Sequence, residues 1–216
     1  MDRDLIGFLT YQAINVPALL FGLTFHEWGH ARMALALGDD TALRAGRVTL
    51  NPLAHLDPIG TLAMLFAPFG WAKPVPVNPH NFRHPRGDFL VSAAGPGMNV
   101  LLAFIAGLLY RLLPFAVYGE LGPAGRFFIE FLPHFVILNL SLAIFNLIPL
   151  RPLDGSHALA NLLPLEQAYR FNQFNQAYGM SILFALIILP NVIAVSPLRL
   201  VLGPPIQFLS RAFLGY

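Results

Sequence analysis

Apolar residues run along this chain in long blocks parted by short polar stretches. The first block, Leu5 to Leu37, carries only Glu27 and Arg32 as charges and closes at Gly38, ahead of Asp39 and Asp40. A glycine just past the last apolar residue is a helix stop. As one helix the block is roughly 50 Å long, more than a bilayer core needs. Pro17 inside it either kinks the helix or marks where its regular part restarts. Phe89 to Leu113 and Phe127 to Leu150 predict a second and a third span, and Tyr178 to Val195 a fourth, interrupted by Pro190. Leu198 to Leu214 is ambiguous, because Gly203-Pro204-Pro205 breaks it.

The intervening stretches read differently. Thr41 to Leu50 has a short extended pattern, and Asn51 to Pro58 is rich in turn residues. Gly60 to Gly70 is apolar but too short to span, which predicts a re-entrant or interfacial segment. Trp71 to Asp88 holds Pro74, Pro76, Pro79 and Pro85, so it is not a helix, and Val75 and Val77 alternate like a short strand. The expected fold is an all-α membrane protein. It is a polytopic helical bundle of four to six membrane segments, with a small extended or re-entrant element after the first helix. One unit, 1–216, is expected, with a core over 5–157 and additional membrane segments within 178–214.

Composition sharpens this. Hydrophobic residues make up 56% and charged residues 11% of the 216, and mean hydropathy is +0.62. Soluble domains carry about 25% charge, and disordered chains are polar and poor in aromatics, so both classes are excluded. The thirteen basic residues are scattered singly, which argues against a nucleic-acid partner. The chain has no cysteine, so a disulfide, a thiolate metal site and a cysteine nucleophile are ruled out. Met1-Asp2-Arg3-Asp4 lacks the basic start of a removable signal peptide. Six basic residues, Arg32, Arg44, Arg47, Lys73, Arg83 and Arg86, fall within 32–88. By the positive-inside rule this puts 38–88 and 151–178 in the cytoplasm and the N-terminus outside.

Against so apolar a background, His26-Glu27-Trp28-Gly29-His30 stands out as H-E-x-x-H. Residues four apart share a helix face, so both imidazoles can bind one Zn²⁺ and the glutamate can reach water beside it. With 7 His in the chain, a chance match is expected in roughly 0.4% of such sequences. Titratable groups in a membrane helix are costly and functional by default.

A catalytic zinc needs a third protein ligand and an open position. Asp154 lies just past the third span. The first and third spans run the same way, since one reversed span separates them, so Asp154 falls at the depth of His26 and His30 near the cytoplasmic face. Glu130 and His134 are also four apart, but sit at the opposite end of the third span and read as an interfacial pair. His55 and Asp57 read as turn formers or as supports near the metal. His157 is either close to the site or on the surface, and His80 and His84 read as solvated.

Five ordered stretches together resemble the site-2 proteases, the intramembrane zinc metalloproteases. They are His26-Glu27-x-x-His30; Asn51-Pro52 through His55-x-Asp57-Pro58-x-Gly60; Gly70-Trp-Ala-Lys-Pro-Val-Pro-Val-Asn-Pro79; Ser92-Ala-Ala-Gly-Pro-Gly-Met-Asn99; and Asn146-x-x-Pro149 through Leu153-Asp154-Gly155. The matches cover about 26 to 157. The resemblance implies that His26, His30 and Asp154 bind one zinc per chain and that Glu27 is the catalytic base. It further implies that Asn146 lies near the metal and helps to hold the substrate carbonyl. The H-E-x-x-H helix is the first span and no PDZ insert is present, so the resemblance is to the minimal type.

The expected activity is a zinc metalloendopeptidase that cuts within or next to transmembrane segments of membrane-protein substrates. The expected setting is a lipid bilayer, a prokaryotic plasma membrane, with the site near its cytoplasmic face. A transmembrane substrate must unwind to expose its carbonyls, and the 73–78 stretch is a candidate to capture it by strand addition. The competing expectation is a membrane metal-binding or transport protein, or an inactive scaffold.

Overall fold

The computed structural model of the chain describes residues 2–66, 70–113, 120, 122–190 and 196–216. They form helices α1 (Asp2–Ala36), α2 (Thr41–Arg44), α3 (Pro58–Phe66), α4 (Gly87–Leu112), α5 (Pro123–Asn146), α6 (Asp154–Leu162), α7 (Leu165–Phe174), α8 (Met180–Ile188) and α9 (Pro197–Leu214). A π-helical turn, Asn175–Gly179, joins α7 to α8 without a break. The chain is an all-α membrane protein. Among the described residues three helices are long and apolar enough to cross a membrane, over Leu5–Ala36, Gly87–Leu112 and Ala124–Asn146. Many of their large apolar side chains, including Ile6, Phe21, Leu101 and Phe104, are exposed, as a lipid-facing surface requires.

Contacts along the bundle give the helix directions. Asn15 meets His134, and Gly22 lies against Asn139 and Leu142, so α1 and α5 run the same way. His26 meets Asn99 and His30 meets Val91, so α4 runs against α1. The apolar core lies where α1 and α9 pack on α4 and α5, around Ala18, Ala103, Ala106, Val136, Leu140 and Leu214. Small residues here let the helix backbones approach closely, which is how membrane helices pack.

Several elements differ from expectation. Thr41–Arg44 is a single helical turn rather than extended, because the buried Asp39 carboxylate accepts hydrogen bonds from the Thr41 backbone N–H and hydroxyl and starts a turn there. The helix α9 continues through Gly203-Pro204-Pro205. The two hydrogen bonds lost to proline would have ended on the carbonyls of Leu200 and Val201, both on the exposed face. Within 151–178, expected as a loop, α6 and α7 form two short helices. The fourth expected span is described as the nine-residue α8 and its following turn, and residues 191–195 of it lie outside the described residues.

The element after α1 is an excursion tied at its base. Asp57 caps α3 by accepting from the Ile59 and Gly60 N–H groups at 3.0 and 2.8 Å. Of the expected Gly60–Gly70 segment, residues 67–69 lie outside the described residues. Beyond it an isolated antiparallel bridge pairs Leu56 with Ala72, and Lys73 N–H donates 2.8 Å to His55 O. The stretch after Lys73, expected to alternate like a short strand, has no regular secondary structure and joins no ladder among the described residues.

Candidate metal centre

The centre is built at the last third of α1. His26 and His30, one turn apart, project to the same side, and both are buried together with Glu27. The opposing helix comes close enough to touch them because α4 carries glycine at this level. A Cβ on Gly95 would stand 2.6 Å from His30 Cε1 and 2.8 Å from His26 Cε1. On the other side of the same crossing, a Cβ on Gly29 would stand 2.7 Å from Met98 Cγ and 2.9 Å from Ala94 O.

Each imidazole is oriented from α4. His30 Nδ1 lies 2.7 Å from Val91 O, a carbonyl that can only accept. His26 Nδ1 lies 2.6 Å from Asn99 Oδ1. The Asn99 amide cannot be reversed, because its Nδ2 donates to Gly22 O and to Asn139 Oδ1, each at 2.9 Å. Asn139 in turn donates to Phe135 O at 2.9 Å. Both Nδ1 atoms therefore carry the proton, and in the neutral rings both Nε2 atoms present a bare lone pair.

Those lone pairs converge on a carboxylate. The first residue of α6, Asp154, stands with Oδ2 3.2 Å from His26 Nε2 and Oδ1 3.3 Å from His30 Nε2. The two Nε2 atoms are 3.1 Å apart. With neither nitrogen carrying hydrogen, none of these approaches is a hydrogen bond, and Asp154 Oδ2 is indeed buried without a hydrogen-bond partner. Three facing lone-pair donors are suited to hold a cation between them. Bonds of about 2.0–2.1 Å at tetrahedral angles put neighbouring ligand atoms about 3.3 Å apart, close to the spacing of the two Nε2 atoms, and one ligand atom from each of the three residues lies within 4.8 Å of the others, so this set fits zinc. Among the described residues it is the one cluster of His and acidic groups able to hold a metal. The Asp154 side chain keeps 20% of its surface exposed, which leaves an open side to the centre.

The other expected residues fall as follows. Glu27 follows His26 on the buried face and interacts electrostatically with His30 and with the buried Arg47. Asn146 ends α5, and its Nδ2 donates 3.0 Å back to Leu142 O, which leaves its second N–H uncommitted to that bond. His134 pairs with Asn15 at 3.1 Å and stacks edge-on against Tyr11, three turns of α1 away from His26, while Glu130 is exposed. His55 is buried in its turn with Nε2 2.8 Å from Thr49 O. His80, His84 and His157 are exposed.

Sequence reading quoted Gly95 and Asn99 only as part of the Ser92–Asn99 stretch and gave neither a role, and it did not single out Asn139 or the Val91 carbonyl. A signal existed for two of them, since Asn99 and Asn139 are strongly polar amides inside otherwise apolar spans. Nothing in one sequence shows which glycine of the Ser92–Asn99 stretch meets the histidines, or marks a backbone carbonyl.

Comparison with known proteins gives a consistent picture. The family model for "Peptidase family M50" matches residues 114–190. A Bacillus subtilis (strain 168) protein named "Putative zinc metalloprotease YwhC" is 41% identical over 191 residues, 88% of this chain and 87% of its own length. "Putative zinc metalloprotease Rip2" of Mycobacterium tuberculosis (strain ATCC 35801 / TMC 107 / Erdman) is 34% identical over 159 residues, 70% of this chain and 59% of its own length. "Stage IV sporulation protein FB" of Bacillus subtilis (strain 168) is 29% identical over 199 residues, 90% of this chain and 56% of its own length. The chain thus spans less than two thirds of the latter two. No solved structure matches.

Proposed function

The chain belongs to peptidase family M50, the site-2 protease family, and from that premise we propose that it is a zinc-dependent intramembrane endopeptidase. It hydrolyses peptide bonds within or next to transmembrane segments of membrane-protein substrates, in regulated intramembrane proteolysis. The single observation that carries this reading is the convergence of His26 Nε2, His30 Nε2 and the Asp154 carboxylate within 3.1–3.3 Å of one another, beside a buried glutamate.

In this reading His26, His30 and Asp154 hold one zinc per chain. Zinc held there supplies Lewis acidity toward the scissile carbonyl and makes water more acidic. Glu27 is the general base and then the general acid: it takes the proton of the attacking water and delivers it to the leaving amine. Asn146 offers its remaining amide N–H to the substrate carbonyl as negative charge develops on it. The α1–α4 contact, sealed by Gly29 and Gly95, excludes lipid and bulk water from one side, so substrate and water approach by the side left open at Asp154.

The substrate must present an extended backbone, and the 73–77 stretch is suited to receive one. When this stretch pairs as a strand its residues alternate sides, so the N–H and C=O groups of Val75 and Val77 share an edge. Pro74 and Pro76, which have no N–H, fall on the other. No backbone hydrogen bond reaches Val75 or Val77 among the described residues, while Lys73 is already fastened to His55 O and Arg47 holds Pro74 O at 3.2 Å and also Lys73 O. Arg47 thus holds the proline edge at Pro74, and beyond Lys73 the edge of Val75 and Val77 is open to strand addition.

The protein is an integral membrane protein, and we place its site near the cytoplasmic face of a prokaryotic plasma membrane. The basic residues clustered in 32–88, at the end of α1 that carries the histidines, support that orientation. The test is made in cells. Replacing the chromosomal copy by Glu27→Gln makes at least one membrane protein accumulate uncut, and restoring the wild type removes it. Membrane proteomes identical in the two strains would contradict the proposal.

A further inference from the structure

Asp154 opens the short helix α6 directly after a turn rather than sitting within a spanning helix, so its position relative to α1 depends on what holds residues 147–153 as well as on α6. Inside the turn, Ile148 N–H donates to Phe145 O at 3.1 Å, Leu150 N–H to Ile148 O at 2.8 Å and Leu153 N–H to Leu150 O at 2.8 Å. Pro149 and Pro152 contribute no N–H. The Pro149 carbonyl and the Arg151 N–H face away from these bonds, and one side chain from beyond the turn meets both. Asn175 Oδ1 accepts from Arg151 N–H at 2.9 Å, and Asn175 Nδ2 donates to Pro149 O at 3.3 Å.

Asn175 is 2% exposed and is the first residue of the π turn between α7 and α8. Its last residue, Gly179, packs on the same contact: a Cβ there would stand 2.9 Å from Asn175 Oδ1 and 3.1 Å from Arg151 N. A π turn shifts the helix register by one residue, and such turns recur at functional sites. Here the shifted turn holds a buried amide where it can both donate and accept, and a glycine where the 147–153 turn comes closest.

We propose that Asn175 is the positioning residue for the third metal ligand: it clamps the Pro149–Arg151 backbone and thereby fixes Asp154 opposite His26 and His30. This rests on the metal reading given above and extends it. The π turn Asn175–Gly179 then belongs to the metal-binding machinery. Metal ligands must be held to a few tenths of an ångström, and supports one step behind the ligands are worth roughly 10–100-fold in metal affinity.

The test uses the full-length chain in detergent, loaded with zinc and exposed to a chromophoric chelator, alongside the visible spectrum of the cobalt-loaded form. Asn175→Ala and Gly179→Ala release metal roughly 10–100-fold faster than wild type and alter the cobalt spectrum. Asn175→Asp keeps the acceptor for Arg151 N–H and falls between. Leu183→Ala, a cavity in the neighbouring α8, lowers the melting temperature without changing metal release. The proposal is overturned if both Asn175→Ala and Gly179→Ala release zinc as wild type does, or if Leu183→Ala releases it as fast as they do. Gly179→Ala keeps the test decisive if Asn175→Ala does not fold. A wild type that takes up no zinc overturns the metal reading itself, and this inference with it.

Discussion

His26 donates its Nδ1–H to Asn99 Oδ1 at 2.6 Å, and Asn99 can answer only as an acceptor because both hydrogens of its amide nitrogen are spent on Gly22 and Asn139. One helix thereby dictates the tautomer of a histidine on another. Asn99→Leu removes that control and leaves the His26 Nδ1–H buried without a partner. Zinc affinity falls roughly 10–100-fold in a competition titration against a chelator. An unchanged affinity would show that Asn99 serves packing alone.

Two glycines of α4 separate space from flexibility. Gly95→Ala drives a methyl group into both imidazoles, whereas a Cβ on Gly97 meets nothing within 4 Å. Gly95→Ala therefore loses zinc and cleavage, while Gly97→Ala keeps both and gains up to about 1 kcal/mol of helix stability. Metal content of the two purified variants checks this. Equal zinc in both would mean that α4 does not press on the histidines.

Acid stability has one readable contributor. Asp39 is fully buried just after α1 and accepts hydrogen bonds from Thr41, from Asn78 N–H at 2.7 Å and from Asn81 Nδ2 at 2.9 Å. Burial alone would push its carboxyl up, but these bonds outweigh burial and hold it below the usual carboxylate range. A depressed folded value means the stabilisation is complete above about pH 3.9, the unfolded value. It is lost as pH falls through the folded one. Asp39→Asn destabilises the protein at neutral pH by about 1–3 kcal/mol and flattens the acid limb of melting temperature against pH. An acid limb identical to wild type would remove Asp39 from the account.

The open edge at Val75 and Val77 makes a prediction about substrate rather than metal. Val75→Pro and Val77→Pro each remove a backbone N–H from that edge. Cleavage of a membrane-spanning substrate drops through a raised KM, with zinc content unchanged. Cleavage at the wild-type rate by the double variant would sink the strand-addition idea.

Much of this was legible in the chain itself, for particular reasons. The three spans and the H-E-x-x-H helix stand out because so few charges interrupt the apolar blocks. Asp154 could be set at the depth of His26 from topology, since two parallel spans end on the same side. What escaped notice depends on partners distant in sequence. Asn99 and Asn139 are uncharged and merge into their spans until a histidine is set against one of them. The α9 helix survives Pro204 and Pro205 because the bonds they forfeit lie on its exposed face, which periodicity does not reveal. The single turn at Thr41 exists because of Asp39, whose other partners are Asn78 and Asn81, some forty residues on. Asn175 sits in a polar stretch that looks like ordinary linker until the 147–153 turn is folded beside it.

The central claim is that Glu27 performs proton transfer at a zinc held by His26, His30 and Asp154. It is tested most directly by purified wild type and Glu27→Gln acting on one membrane-spanning substrate in detergent, with zinc measured in both. Retained zinc with cleavage reduced by at least about 10²-fold, the usual contribution of a positioned acid–base group, is the predicted result. Normal cleavage by Glu27→Gln, or a wild type that holds no metal, would contradict it.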